Sequence, residues 1–123
     1  MKAIKTFHAI KQTESSEIVV RLSGELDLSV ASDLADELQP VIRQNELGLV
    51  MDMKDLQYID STGIGIIVSI LKTRTAQGAA FSVRNVPPNI KRLFDLTGIS
   101  RHLATVSSSS LIEGNPSNES FQR

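Results

Sequence analysis

No cysteine and no tryptophan occur among the 123 residues, and the aromatics come to four Phe and one Tyr. Without cysteine, disulfides, thiol nucleophiles and cysteine-ligated metal sites are excluded. So few rings argue against a stacking platform for single-stranded nucleic acid. No charge of one sign dominates: 13 Lys and Arg stand against 14 Asp and Glu, interspersed, for a net −1 at pH 7. A nucleic-acid face needs a concentration of cations, so direct binding to nucleic acid is not expected. No run approaches the ~20 apolar residues of a membrane span, and the Met1 end carries no apolar stretch of the kind a leader needs. The expectation is a cytoplasmic protein with no membrane role. A small enzyme, a small-ligand binder and a protein–protein module remain open.

A chain of 123 residues is expected to form one domain able to bury about two-thirds of its unfolded surface. Ile4 to Ile10 alternates as a first strand, and Glu17 to Ser23, with Ile18-Val19-Val20, as a second. The short polar link Thr13–Ser16 makes them an antiparallel hairpin. Asp27 or Ser29 caps a first helix with Leu34, Leu38, Val41 and Ile42 on one face, kinked near Asp36–Pro40 by the proline. Leu49–Met53 reads as a third strand and Lys54–Ile59 as a connection. A second helix spans Thr62–Gln77, closed by Gly78. A fourth strand covers Ala80–Asn85. A third helix opens at Pro87-Pro88, lines Ile90, Leu93 and Phe94 on one face, and ends at Gly98. Leu103–Val106 forms a fifth strand. The order β-β-α-β-α-β-α-β predicts an α/β domain over residues 1–106, with a mixed sheet of about five strands. The sheet is mostly parallel, its first strand is antiparallel, and three to four helices cover it. Residues 107–123, rich in Ser, read as a disordered tail with one apolar pair, Leu111-Ile112.

The stretch Tyr58-Ile59-Asp60-Ser61-Thr62-Gly63-Ile64-Gly65-Ile66 joins a buried strand to an apolar helix. Free N–H groups and the helix dipole at that junction favour negative charge. Ser61 or Thr62 is therefore either a helix cap or a place where a phosphate is added. The following helix is apolar nearly all round, with Ile64, Ile67, Val68 and Leu71 on one face and Ile66 and Ile70 outside it. Such a helix has either a wide core face or a partner on one side. Catalysis by the chain itself is not expected. Only His8 and His102 could serve as base, the Gly-x-Ser-x-Gly elbow is absent, Gly63-Ile64-Gly65 lacks a third glycine, and Asp27, Asp52, Asp55 and Asp60 have no metal-site spacing. No cofactor and no metal are expected.

Three stretches then carry a resemblance: Leu22-Ser23-Gly24-Glu25-Leu26-Asp27, the Tyr58–Gly65 run, and Ile90-Lys91-Arg92-Leu93-Phe94-Asp95-Leu96-Thr97-Gly98. Over about residues 4–106 the chain resembles the bacterial anti-sigma factor antagonists, the single-domain members of the STAS family. That resemblance implies a partner switch. The unphosphorylated antagonist binds an anti-sigma factor that is also a serine protein kinase, and so frees a sigma factor. Phosphorylation from ATP ends the binding, and a PP2C-type phosphatase restores it. The phosphorylated position of the family motif falls on Ser61. Thr62, Gly63, Ile64, Gly65 and Ile66 complete the docking segment, and Asp27 and Asp60 match family acids beside it. Weak homodimerisation stays open. The runner-up is a STAS switch or scaffold acting on a target other than sigma, in secretion, motility, biofilm formation or a sensory complex.

Overall fold

The computed structural model describes residues 7–106. Residues 4–6 of the expected first strand, and the tail 107–123 with Leu111-Ile112, lie outside the described residues. The elements follow as β1 (Phe7–Glu14), β2 (Glu17–Leu26), α1 (Leu28–Arg43), β3 (Gly48–Ile59), α2 (Ser61–Ala76), β4 (Phe81–Arg84), α3 (Pro88–Thr97), a 3₁₀ turn (Ile99–His102) and β5 (Ala104–Val106). The sheet runs β1-β2-β3-β4-β5 in spatial order. β1 is antiparallel to β2 and every later pair is parallel, as the pattern predicts.

Each parallel step passes through a helix to the next strand on the same side, and right-handed crossovers then place all three helices on one face. The core sits there. Leu34, Leu38 and Ile42 of α1, Ile67 and Ile70 of α2, and Ile90 and Phe94 of α3 pack with Val20, Leu22, Met51, Met53 and Val83 of the strands. α2 is the middle helix of the three, which explains its apolar girth. Gly63, Ile67, Ile70 and Arg74 are buried against the sheet, while Ile64, Ile66, Val68 and Leu71 are half-buried on its flanks. Ile70 is thus a core residue and not a partner contact.

Three sequence expectations need correction. The segment Lys54–Ile59 is not a connection but the second half of β3. Its register against β2 slips twice: Arg21 faces Asp52 but Ser23 faces Asp55, and Gly24 faces Leu56 but Glu25 faces Tyr58. Each slip inserts one extra residue into β3. Its inward side chains there, Met53, Leu56 and Ile59, fall three apart instead of two. A strand that alternates with period three escapes a period-two reading. Second, the buried face of α2 is Gly63, Ile67, Ile70 and Arg74 rather than Ile64, Ile67, Val68 and Leu71; in α1, which runs from Leu28 to Arg43, Pro40 is exposed near the end. So near the terminus the proline forfeits only its bond to the Asp36 carbonyl. Third, β2 continues to Leu26, past the Ser23 end read from sequence.

Arg74 is fully buried, at 0 % exposure. Its Nε and Nη2 both donate to the Ala80 carbonyl at 3.2 and 2.8 Å, and Nη2 also donates to Leu47 O at 2.7 Å. Nη1 donates to Ile42 O at 3.1 Å and Gln44 O at 2.8 Å. One guanidinium therefore closes the last carbonyls of α1, the α1–β3 loop and the start of β4. Burial without a counter-charge draws its pKa below the usual value, and it stays a cation at neutral pH. On the helix-free face Asp52 accepts from Lys54 N at 3.0 Å, Arg84 Nε at 3.1 Å and Asn85 Nδ2 at 3.3 Å. Burial alone would raise this carboxyl. The Lys54 amide, the Arg84 guanidinium and the Asn85 amide outweigh it, and its pKa lies below the ordinary value. Asn85 takes a left-handed φ of 55° to make that contact.

Arg74→Met leaves four carbonyls unsatisfied beneath a helix. It is expected to lower unfolding stability by about 3–5 kcal/mol in urea titration, and Arg74→Lys, with fewer donors, to recover only part. Because the Asp52 pKa is depressed on folding, its stabilisation is complete above its unfolded value and drains away as pH falls through the folded one. In urea midpoints measured between about pH 5 and pH 2, Asp52→Asn should flatten part of the acid-side fall that the parent chain shows.

Candidate functional site

At the C-terminal ends of β2 and β3 two helices begin side by side. Leu26 pairs with Ile59, and the Asp60 amide donates to the Leu26 carbonyl at 3.2 Å. Asp27 caps α1, its Oδ1 accepting from Ser29 N at 3.0 Å and from the Ser29 hydroxyl at 2.6 Å. Asp60 caps α2, its Oδ1 accepting from Gly63 N at 3.0 Å. Its other oxygen, Oδ2, accepts from the Leu28 amide at 3.2 Å. A single carboxylate thus holds the N-termini of both helices, each of which presents positive dipole.

The geometry assigns the cap of α2. The cap is Asp60, not a hydroxyl. Ser61 is the first helical residue and is exposed. Of the first four amides of α2, Gly63 bonds the Asp60 side chain and Ile64 the Asp60 carbonyl at 3.0 Å. Those of Ser61 and Thr62 are the open donors of this helix end among the described residues. From Ser61 the solvent side of α2 continues through Gly65 and Ser69, one helical turn apart and all exposed. The outward ridge beyond Ser61 is low.

The two glycines act differently. A Cβ on Gly63 would lie 2.7 Å from Ile59 Cγ1 and 2.8 Å from the Leu26 carbonyl oxygen. Gly63 lets the helix start against the strand ends, and does not shape the surface. A Cβ on Gly65 would meet nothing within 4 Å. No packing requires that glycine, which weakens the helix by about 1 kcal/mol relative to alanine. Thr62, Gly65 and Ile66 line a shallow crevice of about 200 Å³ against Ala35 and Gln39 of α1, and Ile64 leans into the core on the other flank.

Beside the double cap lies an open cleft of about 540 Å³ lined by Glu25, Asp27, Leu28, Ser29, Tyr58 and Asp60. Asp27, only 4 % exposed, forms its floor. Its mouth is flanked by two large apolar side chains left in water, Leu28 at 72 % and Tyr58 at 49 % exposure. The structure brings Asp27, Asp60, Ser61 and Thr62 to one end of the sheet. Ile64 is withdrawn from it into the core flank, and Ile66 stands to the side. Leu28 and Glu25 were missed in the sequence. Leu28 precedes the helix pattern and Glu25 sits in a strand end, so neither carries a periodic signal. No group of three or more His, Cys, Asp or Glu that could hold a metal occurs among the described residues. Nor is any helix there long and apolar enough to cross a membrane.

The sequence profile of the STAS domain matches residues 8–110. The chain is 37 % identical over 90 residues to the anti-sigma-B factor antagonist of Bacillus subtilis, covering 73 % of this chain and 81 % of that one. The chain belongs to the STAS family, among its anti-sigma factor antagonists. Solved structures share the fold. An anti-sigma factor antagonist from Mycobacterium paratuberculosis superposes with a TM-score of 0.76 at 21 % identity, over 85 % of this chain and 89 % of that one. The Bacillus cell fate determinant SpoIIAA in its phosphorylated form superposes with a TM-score of 0.65 at 19 % identity, over 85 % and 95 %. In this STAS domain the double cap and the exposed first-turn serine occupy the end of the sheet where parallel α/β folds carry their sites.

Since Asp60 and not Ser61 makes the cap, Ser61→Ala should leave urea-unfolding stability within about 0.5 kcal/mol of the parent, whereas Asp60→Ala, which releases two helix ends, should cost about 1–2 kcal/mol. Gly65→Ala should stabilise by up to about 1 kcal/mol and Gly63→Ala destabilise by about 1–3 kcal/mol or more.

Proposed function

We propose that this STAS domain is a phosphorylation-controlled antagonist of an anti-sigma factor. The unphosphorylated chain binds an anti-sigma factor with serine kinase activity and thereby frees a sigma factor. The kinase transfers the γ-phosphoryl group of ATP to the Ser61 oxygen, ADP leaves, and the complex separates. A PP2C-type phosphatase hydrolyses the phosphoserine and returns the chain to its binding form. The chain itself contributes recognition and an acceptor hydroxyl, not catalysis.

The observation that carries this reading is an exposed serine at the first position of a helix whose cap is made by its neighbour. Its hydroxyl is spare, and the helix dipole tolerates added negative charge. The fold is therefore expected to survive phosphorylation. The partner surface is not, because a group of charge about −1.5 to −2 enters a contact already lined by Asp60, and an unpaired buried charge costs several kcal/mol. The exposed Leu28 and Tyr58 and the low ridge at Gly65 provide apolar area and close approach for a docked protein. The relatives named antagonists of anti-sigma factors, and the fold neighbour solved phosphorylated, are further support.

Peptide mass spectrometry of the protein purified from its own cells tests the reading. A phosphate is expected on the peptide containing Asp60–Gly65, removed by a PP2C-type phosphatase. With the partner kinase in hand, Ser61→Asp should weaken binding by at least about tenfold, which corresponds to 1.4 kcal/mol, and Ser61→Ala should bind but take up no label. Equal labelling of Ser61→Ala would place the acceptor elsewhere.

A further inference from the structure

The helical layer has a second concavity far from Ser61, at the opposite end of α2. Val68, Leu71 and Ala76 of α2 face Ile99 of the 3₁₀ turn across a groove of about 640 Å³, with Lys72 and His102 also on its lining. Its walls are mainly apolar, and Val68 and Leu71 are only half-buried, although both pack on the core. An apolar trough of this size between two helices has room for one or two aliphatic side chains.

The chain's own sequence carries such a pair. Beyond Val106 come four serines, Ser107–Ser110, and then Leu111, Ile112 and Glu113. Four residues separate His102, at the groove, from Val106, a path of at most about 14 Å, while the five residues from Val106 to Leu111 reach about 17 Å. The spacer is long enough to return. Its composition also suits the task, because a polar run with no apolar residue has no competing place to pack. The charge order matches as well, since the apolar pair is followed by an acid and the groove carries Lys72. We propose that Leu111 and Ile112 of the chain's own C-terminal segment occupy the α2–α3 groove, with Glu113 set towards Lys72. A contact of two side chains is too small to hold a free peptide. The tether raises its effective concentration to the millimolar range, where so small a contact is populated. A partner confined to the Ser61 end would leave the segment in place, and one whose contact ran down α2 to Lys72 would have to displace it. The inference stands independently of the phosphorylation reading.

The absence of cysteine allows single-site labelling of the full chain. With a nitroxide on Ser110→Cys, the methyl signals of Val68, Leu71 and Ile99 are expected to lose intensity by paramagnetic broadening, while that of Val20 in the sheet does not. Adding Leu111→Ser and Ile112→Ser to the labelled chain should restore them, and Lys72→Glu should restore them in part. Equal intensities with and without the apolar pair would overturn the proposal. So would broadening that appears only when labelled chain is mixed with an isotope-labelled, nitroxide-free copy, because the occupant would then be a second molecule.

Discussion

The Arg74 guanidinium spends all five of its N–H donors on backbone carbonyls and none on a carboxylate. Those carbonyls belong to the end of α1, the loop into β3 and the approach to β4, three segments that would otherwise leave acceptors without partners beneath the helical layer. A lysine has too few donors for this set, and a neutral side chain offers nothing comparable. Because the ligands are dipoles and not charges, the arginine is held by geometry, and the geometry in turn fixes how α1 and α2 sit relative to the sheet. The lower end of the fold is closed by this one side chain.

The upper end is closed by its electrostatic opposite. Asp27 and Asp60 place carboxylates at two helix N-termini, where the open amides and the dipole favour them. Asp60 divides its oxygens between the two helices, Gly63 on one and Leu28 on the other. The double cap does more than stabilise. It releases the Ser61 hydroxyl from any structural duty, and it fixes Leu28 and Tyr58 in the open on either side of the cleft. A residue that is both exposed and structurally spare can be modified without cost to the fold, which is the condition a reversible switch must meet.

Phosphate at this position would be a local event. The change in charge is large, yet the helix end that receives it is already arranged for anions, so little of the perturbation should propagate into the core. Its effect then falls on binding rather than on folding. This separation follows from the first-turn placement of Ser61. A serine in the last turn of the same helix would meet the negative end of the dipole and couple modification to stability.

The sequence by itself determined the alternation of elements, the antiparallel first strand, the junction at Asp60–Gly63 and the family to which they point. These are local or additive signals: hydrophobic period, caps, glycine after a helix, proline at its start. Tertiary structure decided the rest. The second half of β3 is invisible to periodicity because two bulges shift its inward residues to a spacing of three, and bulges are set by the partner strand. The all-round apolarity of α2 had two readings in one dimension and acquires a single meaning only when α1 and α3 flank it. The sequence offered the hydroxyls of Ser61 and Thr62 as caps, and backbone geometry gave the bond to Asp60 instead. Arg74 lies on the Gly63–Ile67–Ile70 face, which the sequence reading did not choose as the core face, and its partners are 27 to 32 residues away in the chain for three of the four carbonyls. No local pattern encodes a hydrogen bond made across that distance, because it depends on where the folded backbone brings its carbonyls together.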